Sequence, residues 1–197
     1  MTADANGAAG FLFEMGVLKR ARRTGWWVAG IRDPESIGEH SFRAAIVGTV
    51  IAAMEGADAA RVSLLCTLHD SQETRVGDIP HIGRSYVTAV DNLDVTVDQV
   101  AACPPAVSDV ITAAVAEYEA RATPEAICAR DADKLECLIQ AVEYRTQGVV
   151  TVQPWIDSSY DALVTDSARA LADAVLDGDP LAWQNVRARR VDESSDS

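Results

Sequence analysis

Apolar residues recur along this chain with the spacing of a helix and almost nowhere with the spacing of a strand. Phe42, Ala45, Ile46, Thr49, Val50 and Ala53 follow i, i+3, i+4, i+7, i+8, i+11, and so do Val107, Val110, Ile111, Ala114, Val115 and Tyr118. Such a stripe covers one side of a helix with about 3.6 residues per turn. Phe11, Met15 and Leu18, then Leu135, Leu138, Ile139 and Val142, repeat the pattern in shorter form, and Ala162 to Leu176 is alanine-rich and helical. Val149 to Val152 is the one strand-like run, and a single strand cannot build a sheet. The breakers fall between the stripes: Gly25 and Gly30 flank a loop, Gly56 ends one helix, and Gly77 to Pro80 breaks the next. Pro104-Pro105 and Pro124 stand where a first helical turn accepts proline. The expected fold is all-α, a single-domain bundle of roughly six to eight helices.

With 197 residues and 48% hydrophobic content, the chain can bury one sizeable core and is not disordered as a whole. Residues 1–10 are small and polar and read as a disordered N-terminal segment, 11–190 as the domain, and 191–197 as an acidic Ser/Asp-rich tail. Lys and Arg number 17 against 30 Asp and Glu, a net charge of −13. That balance argues against binding a nucleic-acid polymer or a polybasic membrane attachment. An anionic substrate must therefore be met by a local device. No apolar run reaches the roughly 18 residues of a membrane span. The basic cluster Lys19, Arg20, Arg22, Arg23 follows the apolar stretch Phe11 to Leu18, the reverse of a secretory signal. Cys66, Cys103, Cys128 and Cys137 lack C-x-x-C spacing and read as reduced thiols of a cytoplasmic protein.

Chemistry concentrates near two of the three histidines. His69-Asp70 closes the apolar run Leu64 to Leu68, so two polar groups stand where a helix should bury itself and need partners there. Glu73 follows at i+4 from His69, and Asp78 comes just past Gly77. His40 opens the preceding helix, and two antiparallel helices could bring it beside the doublet. Two imidazoles and a carboxylate form an open ligand set, and a fourth carboxylate would complete a six-coordinate site with two free positions. The candidates are Asp131 and Asp133; the first falls on the stripe of Leu135, Leu138 and Val142, the second opposite it, and helix geometry does not choose. Each residue alone has an ordinary structural role: a helix-capping histidine, a His–Asp hydrogen bond, solvated acids. Only their conjunction points to a metal.

These residues resemble those of a known family. His40, His69-Asp70 and Asp133, with Arg32-Asp-Pro-Glu-Ser-Ile-Gly-Glu-His40 before them and Gly77-Asp-Ile-Pro80 after, resemble the HD-domain phosphohydrolases of the 5′-deoxynucleotidase and HD-domain-containing protein 2 type. The likeness extends from Leu18-Lys-Arg-Ala-Arg-Arg-Thr-Gly-Trp26 to Gln140-Ala-Val-Glu-Tyr144 and covers most of residues 11–148. It implies an HD-type helical bundle with metal ligands His40, His69, Asp70 and Asp133, thereby choosing Asp133 over Asp131. It implies that Glu73 and Asp78 are the catalytic acids. Trp26 matches an aromatic that packs near the sugar. The arginine that the bacterial deoxynucleotidases place just before that tryptophan is replaced here by Gly25, which leaves Arg23 as the candidate phosphate contact.

The implied activity is hydrolysis of the 5′-phosphate of (deoxy)nucleoside monophosphates by water on one divalent ion (Mn, Co, Fe, Ni, Zn or Mg), in a homodimer. Glu73 is assigned to the water and Asp78 to the leaving group, with the exchanged assignment left open. His81 is the one histidine after the doublet, too few for the dinuclear members, and reads as a loop or supporting residue. Three competing readings stand beside this one. The first is a nucleoside di- or triphosphate hydrolase or a pathway-specific nucleotide phosphatase. The second is a metal-binding protein without turnover, and the third is an interaction scaffold using helix 162–176.

Overall fold

The structure, a computed structural model, describes residues 2–88 and 90–184. Among them run ten α-helices: α1 (Thr2–Met15), α2 (Gly25–Val28), α3 (Ile37–Glu55), α4 (Ala59–Leu68), α5 (Glu73–Val76), α6 (Asn92–Val100), α7 (Pro105–Ala120), α8 (Pro124–Thr146), α9 (Gln153–Asp161) and α10 (Asp166–Asp177). Eight have nine residues or more, and α2 and α5 are single turns. The all-α expectation is met. Short 3-10 turns cover His81–Ser85, Val150–Val152 and Ala182–Gln184, so the strand-like run is in fact a turn leading into α9. The longest helix, α8, packs against α3, α4, α7, α9 and α10 and forms the axis of the core.

Local chemistry sets the helix ends. Ser36 caps α3 in a reciprocal box with Glu39, Asp58 and Asp91 cap α4 and α6, and Thr123 and Thr165 cap α8 and α10. Gly56 closes α3 in the left-handed conformation, at φ 76°.

One expectation is corrected. Residues 2–10 belong to α1, whose small side chains permit close approach to a neighbour: a Cβ on Gly7 would overlap the carbonyl oxygen of Ala102. The tail 191–197 lies outside the described residues. α3 divides its apolar residues by size. Its most regular stripe faces outwards, with Phe42 69% exposed and Ile46, Val50 and Met54 also exposed, while Ile37, His40, Ser41, Ala44, Gly48, Ile51 and Ala52 are buried. The inner face is small because α3 lies tight against α4 and α8. A Cβ on Gly48 would stand 2.8 Å from Cys66 Sγ and 3.3 Å from Ala132 Cβ.

Candidate metal centre

Four elements bring the site together. The capping box at Ser36 and Glu39 fixes the first turn of α3 and so places His40, which is fully buried. The helix carrying the doublet ends together with its apolar run and does not continue through His69 and Asp70. α4 stops at Leu68, and His69 to Gln72 form tight turns closed by Ser71 N–H to Leu68 O and Glu73 N–H to Asp70 O. This break turns Asp70 towards the same point as His69. Gln72 donates to His69 O at 2.5 Å, and Gln99 of α6 donates to Ser71 O at 2.9 Å, holding the turn from both sides. Glu14 of α1 accepts from Thr74 and Arg75 at 2.8 and 2.7 Å and is held down to about 2 by the Arg75 guanidinium. α8 supplies Asp133.

The ring nitrogens show what the site demands. His40 gives its Nδ1 to the Glu136 carboxylate, and His69 donates Nδ1–H to Cys66 O at 2.7 Å. Both rings therefore present Nε2, and the two Nε2 atoms stand 3.3 Å apart. Two neutral imidazoles with protonated Nδ1 would point bare lone pairs at one another. Carboxylates close the ring: Asp70 Oδ2 is 3.2 Å from His69 Nε2 and 3.7 Å from His40 Nε2, and Asp133 Oδ1 lies 3.4 Å from His40 Nε2 and 3.9 Å from that of His69. The arrangement asks for a cation, and two nitrogens with two carboxylates fit a divalent one. A proton on His40 answers the same demand. Burial and Arg23 pull its pKa down, but Glu136 and Asp133 outweigh them and push it up to about 10. Burial likewise opposes ionisation of Asp133, yet Lys134, His40 and His69 hold it well below the usual carboxylate range.

A second layer orients these ligands. Glu136, buried beside His40, is itself gripped by Arg43 at 2.8 Å, and Arg43 also donates to Gln140 and Glu143 at 2.6 and 2.7 Å. Asp133, Glu136 and Gln140 along α8 thus read physically as a carboxylate facing the imidazoles, a carboxylate orienting His40 and an anchor for Arg43. The residue spacing alone assigns no role to Glu136 or Arg43. An acid inside an apolar helix stripe was the available signal. Tyr118, also missed, stacks on His69 with ring centroids 5.1 Å apart.

The site opens on a cavity of about 1100 Å³ whose lining includes His69, Asp70, Glu73, Asp78 and Asp133. Glu73 and Asp78 therefore share it. Glu73 is largely buried, and burial with Asp70 and Asp78 pushes its carboxyl up to about 9. Asp78 Oδ2 accepts from Thr24 N–H at 2.5 Å, which ties the segment before α2 to this wall. Arg23 bonds Asp70 Oδ2 at 2.9 Å, so its guanidinium is engaged with a ligand carboxylate. Trp26 lines the cavity but is 2% exposed, with Nε1 donating to Glu35 at 3.0 Å and its ring packed on Tyr144 and Trp155. His81 is exposed on a 3-10 turn along the cavity, away from the ligand cluster. Asp131 faces elsewhere and accepts from Val164 N–H, Thr165 N–H and Thr165 Oγ1 at the start of α10.

A family model described as HD domain matches residues 15–174. The chain belongs to the HD-domain family. The HD-type bundle expected from the resemblance is the fold observed, and the His69-Asp70 pair lies within the matched residues. Among proteins similar to this HD-domain chain is the 5′-deoxynucleotidase hdd1 of Schizosaccharomyces pombe, 31% identical over 140 residues, which are 68% of this chain and 70% of that protein. The 5′-deoxynucleotidase HDDC2 of Dictyostelium discoideum is 28% identical over 161 residues, 73% and 83% of the two chains. A crystal structure of a genomics target superposes with a TM-score of 0.71 at 31% identity, covering 90% of this chain and 99% of that one.

Proposed function

We propose that this HD-domain chain is a divalent-metal-dependent phosphohydrolase that removes the 5′-phosphate from deoxynucleoside and nucleoside monophosphates. The observation that carries the reading is the facing pair of Nε2 atoms at 3.3 Å, ringed by Asp70 and Asp133, at a cavity that also holds two further acids. The relatives named 5′-deoxynucleotidase support the substrate class. His40, His69, Asp70 and Asp133 would hold one ion. Such an ion, when bound, supplies the Lewis acidity that acidifies water and offsets phosphoryl charge.

The protein's own acids divide the proton work. Glu73, pushed up to about 9 by burial and by Asp70 and Asp78, keeps its proton at neutral pH and delivers it to the departing 5′ oxygen. Asp78, anchored by Thr24, is the acceptor that orients the water. This is the exchange of the roles first assigned. Turnover of Glu73→Gln and Asp78→Asn on a nucleotide and on p-nitrophenyl phosphate separates the roles, because a good leaving group needs no acid. Glu73→Gln should lose far more on the nucleotide, and equal losses on both substrates would restore the original assignment.

The function itself is tested by phosphate release from dAMP, AMP, dATP and ATP with Mn²⁺ or Co²⁺. Release from the monophosphates, abolished by EDTA, is expected. Hydrolysis of the triphosphates alone would make the chain a triphosphate hydrolase, and metal uptake without turnover would make it a binding protein. We also propose a homodimer through the outer face of α3, supported by its exposed Phe42, Ile46, Val50 and Met54. Sedimentation of the wild type and Phe42→Glu checks it, with the variant expected to be monomeric. A cytoplasmic setting is supported by the four unpaired cysteines.

A further inference from the structure

Buried polar side-chain atoms without a hydrogen-bond partner are few among the described residues, and three of the four stand on residues that line one cavity. They are Glu73 Oε2, Tyr118 OH and Arg130 Nε. Glu73 already has a place in the chemistry. Tyr118 and Arg130 do not, and both are donors. Native structures pair such donors, so two of them unpaired at one cavity wall mark where an acceptor from outside the chain belongs.

The geometry says what kind of acceptor. Tyr118 is held between two neighbours: the His69 ring lies 5.1 Å from its centroid and the Arg130 guanidinium carbon 4.4 Å from it. The stack fixes Arg130 one aromatic layer away from a metal ligand. Along α8, Arg130, Asp133 and Lys134 sit at i, i+3 and i+4, so one helix face presents cation, ligand carboxylate and cation to the cavity. The cations differ in how committed they are. Arg23 bonds a ligand carboxylate at 2.9 Å, and Lys134 bonds Asp133 Oδ2 at 2.9 Å. Arg130 makes a single 3.2 Å contact to Glu119, a residue outside the ligand set, and keeps Nε–H unused. A guanidinium edge beside a phenol hydroxyl suits the oxygens of a dianionic phosphoryl group.

We infer that Arg130, with the Tyr118 hydroxyl and seconded by Lys134, is the phosphate grip of this site and selects terminal phosphomonoesters over diesters. The inference rests on the phosphohydrolase reading above, and it moves the phosphate contact from Arg23 to the α7–α8 wall. Arg23 becomes a positioning residue for Asp70. A monoester carries a second negative charge that a diester lacks, so a cation beside the transferred group rewards the monoester.

The test measures binding and turnover separately. Titration calorimetry of inorganic phosphate into Mn²⁺-loaded wild type, Arg130→Met, Arg130→Lys and Tyr118→Phe needs no turnover. We expect at least tenfold weaker phosphate binding in Arg130→Met, partial recovery in Arg130→Lys, about threefold weakening in Tyr118→Phe, and unchanged metal stoichiometry throughout. In kinetics, Arg130→Met should lose at least tenfold more kcat/KM on p-nitrophenyl phosphate than on bis(p-nitrophenyl) phosphate. Should Arg130→Met fail to fold, Arg130→Lys and Lys134→Met carry the comparison, each expected to weaken phosphate binding severalfold. Unaltered phosphate affinity in the folded variants would overturn the grip, as would equal losses on monoester and diester. If the wild type hydrolyses none of the nucleotides, the functional reading falls while phosphate affinity still decides the grip.

Discussion

Asp131 and Asp133 stand two residues apart on the same helix, both buried, and they do opposite things. Asp131 is saturated by N–H and O–H donors from Val164 and Thr165 and so fastens the start of α10 to α8. Asp133 faces two imidazole nitrogens, which supply no proton when neutral, and one lysine. Burial therefore does not distinguish a carboxylate that faces the imidazole pair from a structural one. The partners do: a carboxylate paid in full by donors is structural, whereas one converging on bare nitrogens awaits a cation.

Neutralising each aspartate in turn separates the two roles. Asp133→Asn should cost at least about 1000-fold in kcat and abolish stoichiometric metal, with unfolding little changed when the metal is removed. Asp131→Asn should leave kcat within about threefold and cost about 2–3 kcal/mol of stability, read by urea unfolding, because backbone donors lose a charged acceptor. If both variants lose the metal equally, the division between them is wrong.

Glu136 tests the support of the ligand side. Removing its charge frees the His40 ring from its fixed Nδ1 partner, so Glu136→Gln should weaken Mn²⁺ binding by about 10- to 100-fold while leaving α10 docked. Metal titration of this variant beside Asp131→Asn measures the contrast.

Proton linkage gives the smaller effects. With His40 raised to about 10 in the absence of metal, binding must displace its proton, so Mn²⁺ affinity should rise with pH between 6 and 9, by at most about tenfold per unit. Calorimetry in buffers of different ionisation enthalpy would show the proton released. Glu73 offers a third kind of carboxylate, neither saturated by donors nor a ligand. Its folded pKa of about 9 lies above the ordinary glutamate value of 4.5, so its stability contribution is complete below 4.5 and is lost as pH rises through 9. Glu73→Gln should accordingly stabilise the metal-free protein at pH 8 by about 2 kcal/mol, or about 4–8 °C in Tm. The gain should vanish near pH 4.5, as thermal unfolding at the two pH values would show.

Much of this site could be read before any coordinates. His69 and Asp70 stood out because they close an apolar run, and Glu73, Asp78 and His40 by their spacing from that pair; all of them line or flank one cavity. Glu136 and Arg43 went unassigned because a second-layer role shows only when the ring that needs orienting is in place. Tyr118 read as the end of an apolar stripe and Arg130 carried no signal, since packing across α7 and α8 leaves no trace in the spacing within either helix.

The sequence by itself determined that the chain is helical, where most helices begin and end, and which residue types gather for metal chemistry. These follow from properties of one segment at a time: period, caps and breakers. Only the tertiary structure decided which face of α3 is inside, that residues 2–10 are helical, and how Asp131 and Asp133 divide their work. The reason is distance between helices. The close approach of α3 to α4 and α8 admits glycine and alanine and turns the large apolar stripe outwards, and no single-helix pattern contains that distance.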